Sequence, residues 1–301
     1  GSLARRIRSV VNTPVIVTGR IVTPEQAEQI LQSGAADLIG MTRALIADPD
    51  LPSKARNQKT ADIRVCMGSN EGCIDRLYLG LPIGCVQNPV VGREKSWGQI
   101  TPSTRAKHIV VIGGGPSGME TARVAALRQH RVTLLERDSE LGGAIRLAAR
   151  APGWESYLQC INWLERQLRQ LEIDIQLETE ATTELIGSYS PSAVVVATGA
   201  EPRKPNLSGV NLPHVFTVAD ILSGTNPSGR CVILDETGYT PGAKTADFLS
   251  QLGHEVEIVT RQYALGEDIG TTVRAVLHER LLRAGVHITT LHTPVEITTS
   301  G

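Results

Sequence analysis

The sequence predicts an α/β chain built on parallel strands. Three observations carry that expectation. Short apolar runs that end in Gly or a turn residue alternate with helix-period segments along most of the chain. A glycine-rich turn, Gly113-Gly114-Gly115-Pro116-Ser117-Gly118, joins a strand-like run to a helix-like one. The same strand–helix–strand order then returns after Cys231.

Residues 1–60 read helix, strand, helix, strand, helix. The run Pro14-Val15-Ile16-Val17-Thr18-Gly19 is continuously apolar before its glycine, as in a strand covered on both faces. Thr23-Pro24-Glu25-Gln26 starts a helix, with Thr as cap, Pro at the first position and Gln three after the cap. Ser33-Gly34 ends it, and 36–41 is the next strand. Two such β-α units fit a parallel sheet but cannot close a barrel or bury a core alone. Residues 61–105 are irregular and rich in Cys, Gly and Pro, and a loop of that length is functional. Its end, 97–104, reads as a linker.

Strands are expected at 108–112, 131–136, 173–177 and 193–197, with helices at 119–128 and 154–171 between them. Pro202 and Pro205 mark a boundary. Beyond it, strands at 231–234, 255–259 and 286–289 alternate with helices at 243–252 and 271–284. A strand-like pattern at 295–301 runs to the last residue. The abrupt ends read as those of a piece of a longer polypeptide.

The length fits roughly two domains. A formal net charge of -1 gives no sign of a nucleic-acid or anionic membrane partner. No apolar run reaches the roughly 18 residues of a membrane helix, and no signal-peptide pattern is visible. Five cysteines, three of them crowded between 66 and 85, make a poor disulfide set. A reducing cytoplasm and a metal or cluster suit them better.

The glycine turn has a physical reading. Gly113 makes the tight turn, Gly115 lets backbone approach a diphosphate, and Gly118 lets the helix pack on the strand. Pro116 and Ser117 open the helix, whose positive end faces the anion. Glu136, with Arg137 beside it, closes the next strand and can accept from a ribose diol. Glu140-Leu141-Gly142-Gly143 resembles the second contact loop of flavin disulfide reductase-like domains, and Ala197-Thr198-Gly199 resembles their strand-end motif. Both favour an adenine flavin over a nicotinamide here. The second unit departs from the pattern. Aligning the helices puts Thr237, Tyr239 and Gly242 where Gly113, Gly115 and Gly118 stand. Tyr239 is expected to push a side chain into the diphosphate seat, and Thr260 replaces the acid. Arg261 can still meet a 2′-phosphate, but the unit reads as a degenerate one.

The cysteine run is Cys66-Met67-Gly68-Ser69-Asn70-Glu71-Gly72-Cys73, then eleven residues, then Cys85-Val86-Gln87-Asn88-Pro89. It resembles the iron–sulfur loop of the 2,4-dienoyl-CoA reductase / trimethylamine dehydrogenase family, which carries Cys at all four positions. The whole chain fits the middle of that family's order: barrel end, cysteine loop, Asn88-Pro89, Gly92-Arg93-Glu94, then the Gly113 turn. The resemblance implies an old-yellow-enzyme-like FMN barrel followed by flavin-reductase-like Rossmann domains. It implies a TIM-barrel end at 1–60, the cysteine loop and linker at 61–105, an FAD- or ADP-binding domain at 106–210, and a second NAD(P)-type domain at 211–301.

Carried over by position, Gly19-Arg20 resembles the loop after barrel strand seven and Gly40-Met41-Thr42-Arg43 the segment after strand eight. Together these imply a cradle for the FMN phosphate. Cys66, Cys73 and Cys85 imply cluster ligands, with Ser69 at the fourth position. A serine hydroxyl is harder and less acidic than a thiol. A four-iron cluster with an oxygen ligand, a three-iron cluster and no cluster all remain open. The resemblance further implies a flavin-dependent oxidoreductase with a small-molecule substrate and a homo-oligomeric complete protein: an NAD(P)H-dependent enoate or dienoyl-CoA reductase, or an amine dehydrogenase-like enzyme with a protein electron acceptor. The alternative of another class is a non-catalytic nucleotide-binding electron-transfer module. The family's proton donors and substrate contacts lie on barrel strands not in this chain, so no catalytic acid or base is named.

Overall fold

The computed structural model describes residues 1–300. It is a mixed α/β chain, and every sheet among the described residues is parallel. Two compact units emerge. Gly1–Ile112, Pro116–Leu141 and Gln159–Val196 form the first, and Gly113–Gly115, Gly142–Leu158 and the chain from Ala197 onward form the second. Among the described residues, no helix is long and apolar enough to cross a membrane.

The first unit holds two sheets. β1 (Ile16–Thr18) pairs with β2 (Leu38–Gly40), with Thr18 opposite Gly40. The helix Pro24–Gln32 between them begins as its residues dictate: Gln26 N donates to the Thr23 hydroxyl at 3.3 Å. Asp37 fastens the first helix, Ser2–Arg8, to this sheet. Its carboxylate takes a fork from Arg8 at 2.8, 3.1 and 3.2 Å and a further bond from Val15 N at 2.9 Å. The Arg8 hydrogen bond draws the Asp37 carboxyl below the usual carboxylate range.

The larger sheet contains β3 (His108–Ile112), β4 (Arg131–Leu135), β5 (Asp174–Gln176) and β6 (Ala193–Val196), in the order β5-β4-β3-β6. Val110, Val111, Leu134 and Leu135 are fully buried at its centre. The helix Leu158–Gln170 buries Ile161, Leu164 and Leu168, an i, i+3, i+7 stripe worth about 1.5–3 kcal/mol for each side chain. In register, Ile112 stands opposite both Leu135 and Val196. The chain therefore leaves β3, β4 and β6 at one edge of the sheet, where ligands of such folds sit.

The second unit contains a three-stranded sheet, β7 (Cys231–Asp235), β8 (Val256–Thr260) and β9 (His287–Thr289). Helices Thr240–Gln251 and Thr271–Arg283 cover it, burying Ala243, Ala246, Leu249, Leu277 and Leu281. Two expectations need correction. The pattern expected at 295–301 makes no strand over 295–300, and Gly301 lies outside the described residues: Val295 is exposed, and Glu296 forms one isolated bridge with Ser208. Residues 61–105 are not wholly irregular, since Ile74–Tyr78 and Glu94–Trp97 are short helices.

Candidate functional site

Two constellations stand out, one in each unit, and each is built from short segments that follow strands.

In the second unit, Gly113 takes φ +104°, a region that L side chains rarely adopt. A methyl there would overlap the Ala197 carbonyl and lie 3.1 Å from Thr198 Cα. The Ala197-Thr198-Gly199 segment thus packs backbone to backbone on the turn. Gly142 N donates to Gly114 O at 2.9 Å, and a methyl on Gly143 would come within 3.4 Å of Gly115 Cα. Three glycine-bearing segments therefore close on one another with no side chains between them. Gly115 differs: a methyl built on it meets no atom within 4 Å. The turn is walled on its inner side and open at Gly115, the geometry that a diphosphate against backbone amides requires.

In the first unit, Pro116, Ser117 and Gly118 open the helix Pro116–Leu127, with Gly118 buried. Glu136 follows β4 directly and is buried; its Oε1 accepts from Asp138 N at 2.9 Å. Arg137 is exposed, 3.9 Å from the Asp138 carboxylate.

Also in the first unit, Gly19-Arg20 follows β1 and Gly40-Met41-Thr42-Arg43 follows β2, so both segments leave the same edge of the two-stranded sheet. Both arginines turn toward the cysteine loop. Arg20 lies over Gly68, where any side chain would overlap its guanidinium, and Arg43 Nη1 donates to Asn70 Oδ1 at 2.6 Å. Met41 packs on a small core of Ala44, Leu51 and Ile63 beneath.

The cysteine loop closes on itself. Asn70, at φ +66°, turns the chain so that its carbonyl accepts from Cys73 N at 3.0 Å and Asp75 N at 3.2 Å. Gly84 N donates to Gly72 O at 2.6 Å, and a methyl on Gly72 would lie 2.8 Å from Val86 N. Gln87 Nε2 reaches Val65 O at 2.9 Å, which returns Cys85 beside Cys66. Asn88 Nδ2 donates to Ile46 O and Ala47 O at 3.3 and 3.1 Å, pinning the loop to the segment after β2.

As a result Cys66, Cys73, Cys85, Ser69 and Arg43 line one small cavity of about 20 Å³. Burial pushes the Cys73 thiol up, and the neighbouring Cys66 and Cys85 add to this, while Arg43 opposes it. The donor set, three soft thiols and a buried hydroxyl, fits cluster iron in kind. Among the described residues, no group of three His, Cys, Asp or Glu side chains is arranged to hold a metal ion.

Sequence reasoning missed the brace around this loop. Trp163 Nε1 donates to Asp62 O at 2.9 Å, and the Arg64 guanidinium lies 4.0 Å above the Trp163 ring. Glu120 pairs with Arg123 at 2.7 Å and stands 3.8 Å from Arg64. The brace holds the start of the cysteine loop against helices of the larger sheet. Its partners are about a hundred residues apart in sequence, and neither spacing nor composition marks them.

A sequence model of the NADH:flavin oxidoreductase / NADH oxidase family matches residues 2–62. A model of the pyridine nucleotide-disulphide oxidoreductase family matches 92–190 and 184–301, more than half of the chain. The chain belongs to the 2,4-dienoyl-CoA reductase / trimethylamine dehydrogenase family. Among its relatives, a bilirubin reductase of Mediterraneibacter gnavus is 37% identical over 287 residues, 95% of this chain and 44% of that protein. An N,N-dimethylglycine/sarcosine dehydrogenase of Chromohalobacter salexigens is 39% identical over 297 residues, 95% of this chain and 43% of that protein. A solved 2-naphthoyl-CoA reductase superposes with a TM-score of 0.93 at 30% identity, over 100% of this chain and 46% of that one. The chain spans less than half the length of these members of the family. The family resemblance drawn from the cysteine loop and the Gly113 turn is thereby shown, and so is the α/β fold class that joins a TIM-barrel type to Rossmann-like domains.

One sequence expectation about the second unit changes in its reason. Tyr239 packs against the core of that unit, because its ring finds apolar cover there. Other residues, Asp235 and Gln262, crowd the turn after β7.

Proposed function

We propose that this chain is the cofactor-holding part of a flavin-dependent oxidoreductase that moves electrons between FMN, an iron–sulfur cluster and an adenine nucleotide domain. The observation that carries the reading is the bare turn at Gly113–Gly115, closed behind by Ala197 and open at Gly115. Family membership and the matched sequence models support it. On this reading Gly113, Gly115, Pro116, Ser117, Gly118, Glu136, Arg137, Gly143, Ala197, Thr198 and Gly199 serve an FAD or ADP. Gly19, Arg20, Gly40, Met41, Thr42 and Arg43 serve the FMN phosphate, and Cys66, Cys73, Cys85 and Ser69 the cluster. The corresponding domains are 1–60, 61–105, 106–210 and 211–301, in a cytoplasmic and homo-oligomeric protein.

The bound groups would supply the redox chemistry, flavin exchanging either electron pairs or single electrons and a cluster single electrons. The chain's residues bind and orient. Backbone amides of the turn meet the diphosphate, and Glu136 accepts from the ribose. Arg43 places positive charge beside the cysteine cavity, and Asn70 fixes where that charge stands. Half-buried Cys73 holds its proton more tightly than a free thiol, so metal loading has to displace it.

Two substrate classes follow: reduction of an enoate or dienoyl-CoA thioester at the expense of NAD(P)H, or oxidative demethylation of an amine with a protein electron acceptor. The crowded turn after β7 favours the second, as does the 39% identity to a dehydrogenase of N-methylated glycines. The test is the absorbance and extracted nucleotide of the purified chain. One adenine nucleotide per chain is expected. FMN should bind weakly, because β1 and β2 offer phosphate contacts without a ring pocket. A chain that takes up no adenine nucleotide contradicts the first expectation, and tight stoichiometric FMN the second.

A further inference from the structure

The second sheet of a pyridine nucleotide-disulphide oxidoreductase fold implies a pyridine dinucleotide after its first strand. The residues after β7 do not fit one. Asp235 ends that strand and is 4% exposed. Its Oδ1 accepts three hydrogen bonds: from Thr237 N at 3.2 Å, from the Thr237 hydroxyl at 3.1 Å and from Gly238 N at 3.1 Å. Amides of a strand-to-helix turn are the donors that grip a diphosphate in such folds. Here two of them are already spent on the chain's own carboxylate.

Three further observations agree. A methyl on Gly242, in the first turn of helix Thr240–Gln251, would lie 3.3 Å from Asp235 Oδ1. The carboxylate therefore sits against a helix start, where an anion is favoured. The Gln262 side chain covers Gly238, and its Oε1 is held by Glu267 N at 3.3 Å. Arg261, the cation that the sequence offers to a 2′-phosphate, is paired with Glu236 at 3.3 Å. The second Asp235 oxygen, Oδ2, is buried without a hydrogen-bond partner among the described residues. A bound diphosphate would set its charges beside that oxygen after displacing Gln262.

We propose that Asp235 is the built-in occupant of this unit's diphosphate seat, a latent anion site which the chain plugs with its own carboxylate, so that no pyridine dinucleotide binds there. The inference is independent of the adenine-nucleotide reading of residues 113–118, and the test separates the two by position. Hydrogen exchange of the full chain is followed by mass spectrometry with millimolar NADH or NADPH. Peptides covering 235–243 should exchange at the same rate with and without the dinucleotide, whatever happens at 113–118. Protection of 235–243 by either one overturns the proposal.

The Asp235→Ala variant frees the two amides, and inorganic pyrophosphate is its probe. Exchange at 237–238 in the folded variant should slow by about a hundredfold when the probe stands at about 100 Kd. The native chain and Asp235→Asn, which keeps the acceptor oxygen, should not respond. A folded Asp235→Ala chain indifferent to pyrophosphate would show that the carboxylate fills no anion seat. If that variant does not fold, the dinucleotide experiment on the native chain decides.

Discussion

Replacing Gly115 by alanine is expected to weaken adenine-nucleotide binding without destabilising the fold, whereas the same change at Gly113 should do the reverse first. A methyl on Gly115 meets nothing within 4 Å, so the protein loses no packing and gains no clash. Its stability should stay within about 0.5 kcal/mol of native, as for a site with no buried feature. The methyl does stand in the open side of the turn, where a diphosphate must touch backbone. Overpacking a close contact costs about 1–3 kcal/mol, or about 5- to 150-fold in affinity. At Gly113 the backbone already lies at φ +104°, and a methyl overlaps the Ala197 carbonyl. Strain of about 1–3 kcal/mol and a similar overpacking cost give a loss of about 2–6 kcal/mol in folding. Thermal denaturation and calorimetric titration of ADP and FAD into nucleotide-free protein measure both quantities. If Gly115→Ala binds ADP as tightly as the native chain, the open face is not the nucleotide seat and the reasoning fails.

Three more expectations follow from the structure. Ser69 is buried among the three thiols of the cysteine cavity, so Ser69→Cys should raise iron per chain after anaerobic reconstitution, toward about four. Unchanged iron would argue against a cluster loop. Burial holds the Cys160 thiol up at about 11 against an ordinary 9.0. The folded chain binds that proton more tightly than the unfolded one, so stability is full below pH 9.0 and falls by about 3 kcal/mol as pH rises through about 11. Chemical denaturation across that range should lose this component in Cys160→Ala, and an identical slope in the variant would disprove it. Asn88→Ala removes the donors to Ile46 O and Ala47 O and the acceptor for Val90 N, leaving buried groups unpaired at a cost of about 1–3 kcal/mol. A urea midpoint unmoved by that change would contradict the pinning role.

Much of the architecture was legible because it rests on local rules. The strand 108–112 and the helix start at Thr23 follow from an apolar run and a cap that a few neighbouring residues set. The strand-like pattern failed over 295–300 for the complementary reason: alternation alone does not supply a neighbour to pair with. Asp235 was readable in hindsight, since an Asp two and three residues before Thr237 and Gly238 is an Asx-turn signal. Tyr239 looked like the obstruction because it sits at the glycine's position, but side-chain direction is not written in spacing.

The sequence by itself determined the order of the strands and the longer helices, the bare glycine turn, and the family to which the cysteine spacing belongs. Those are properties of covalent spacing and backbone freedom, and a single chain carries them. Tertiary structure alone decided that Arg43 points at Asn70, that Trp163 braces Asp62 and Arg64, and that Asp235 satisfies its own turn. Each of these joins a donor to an acceptor through space, and that pairing exists only once burial has removed water as the competing partner.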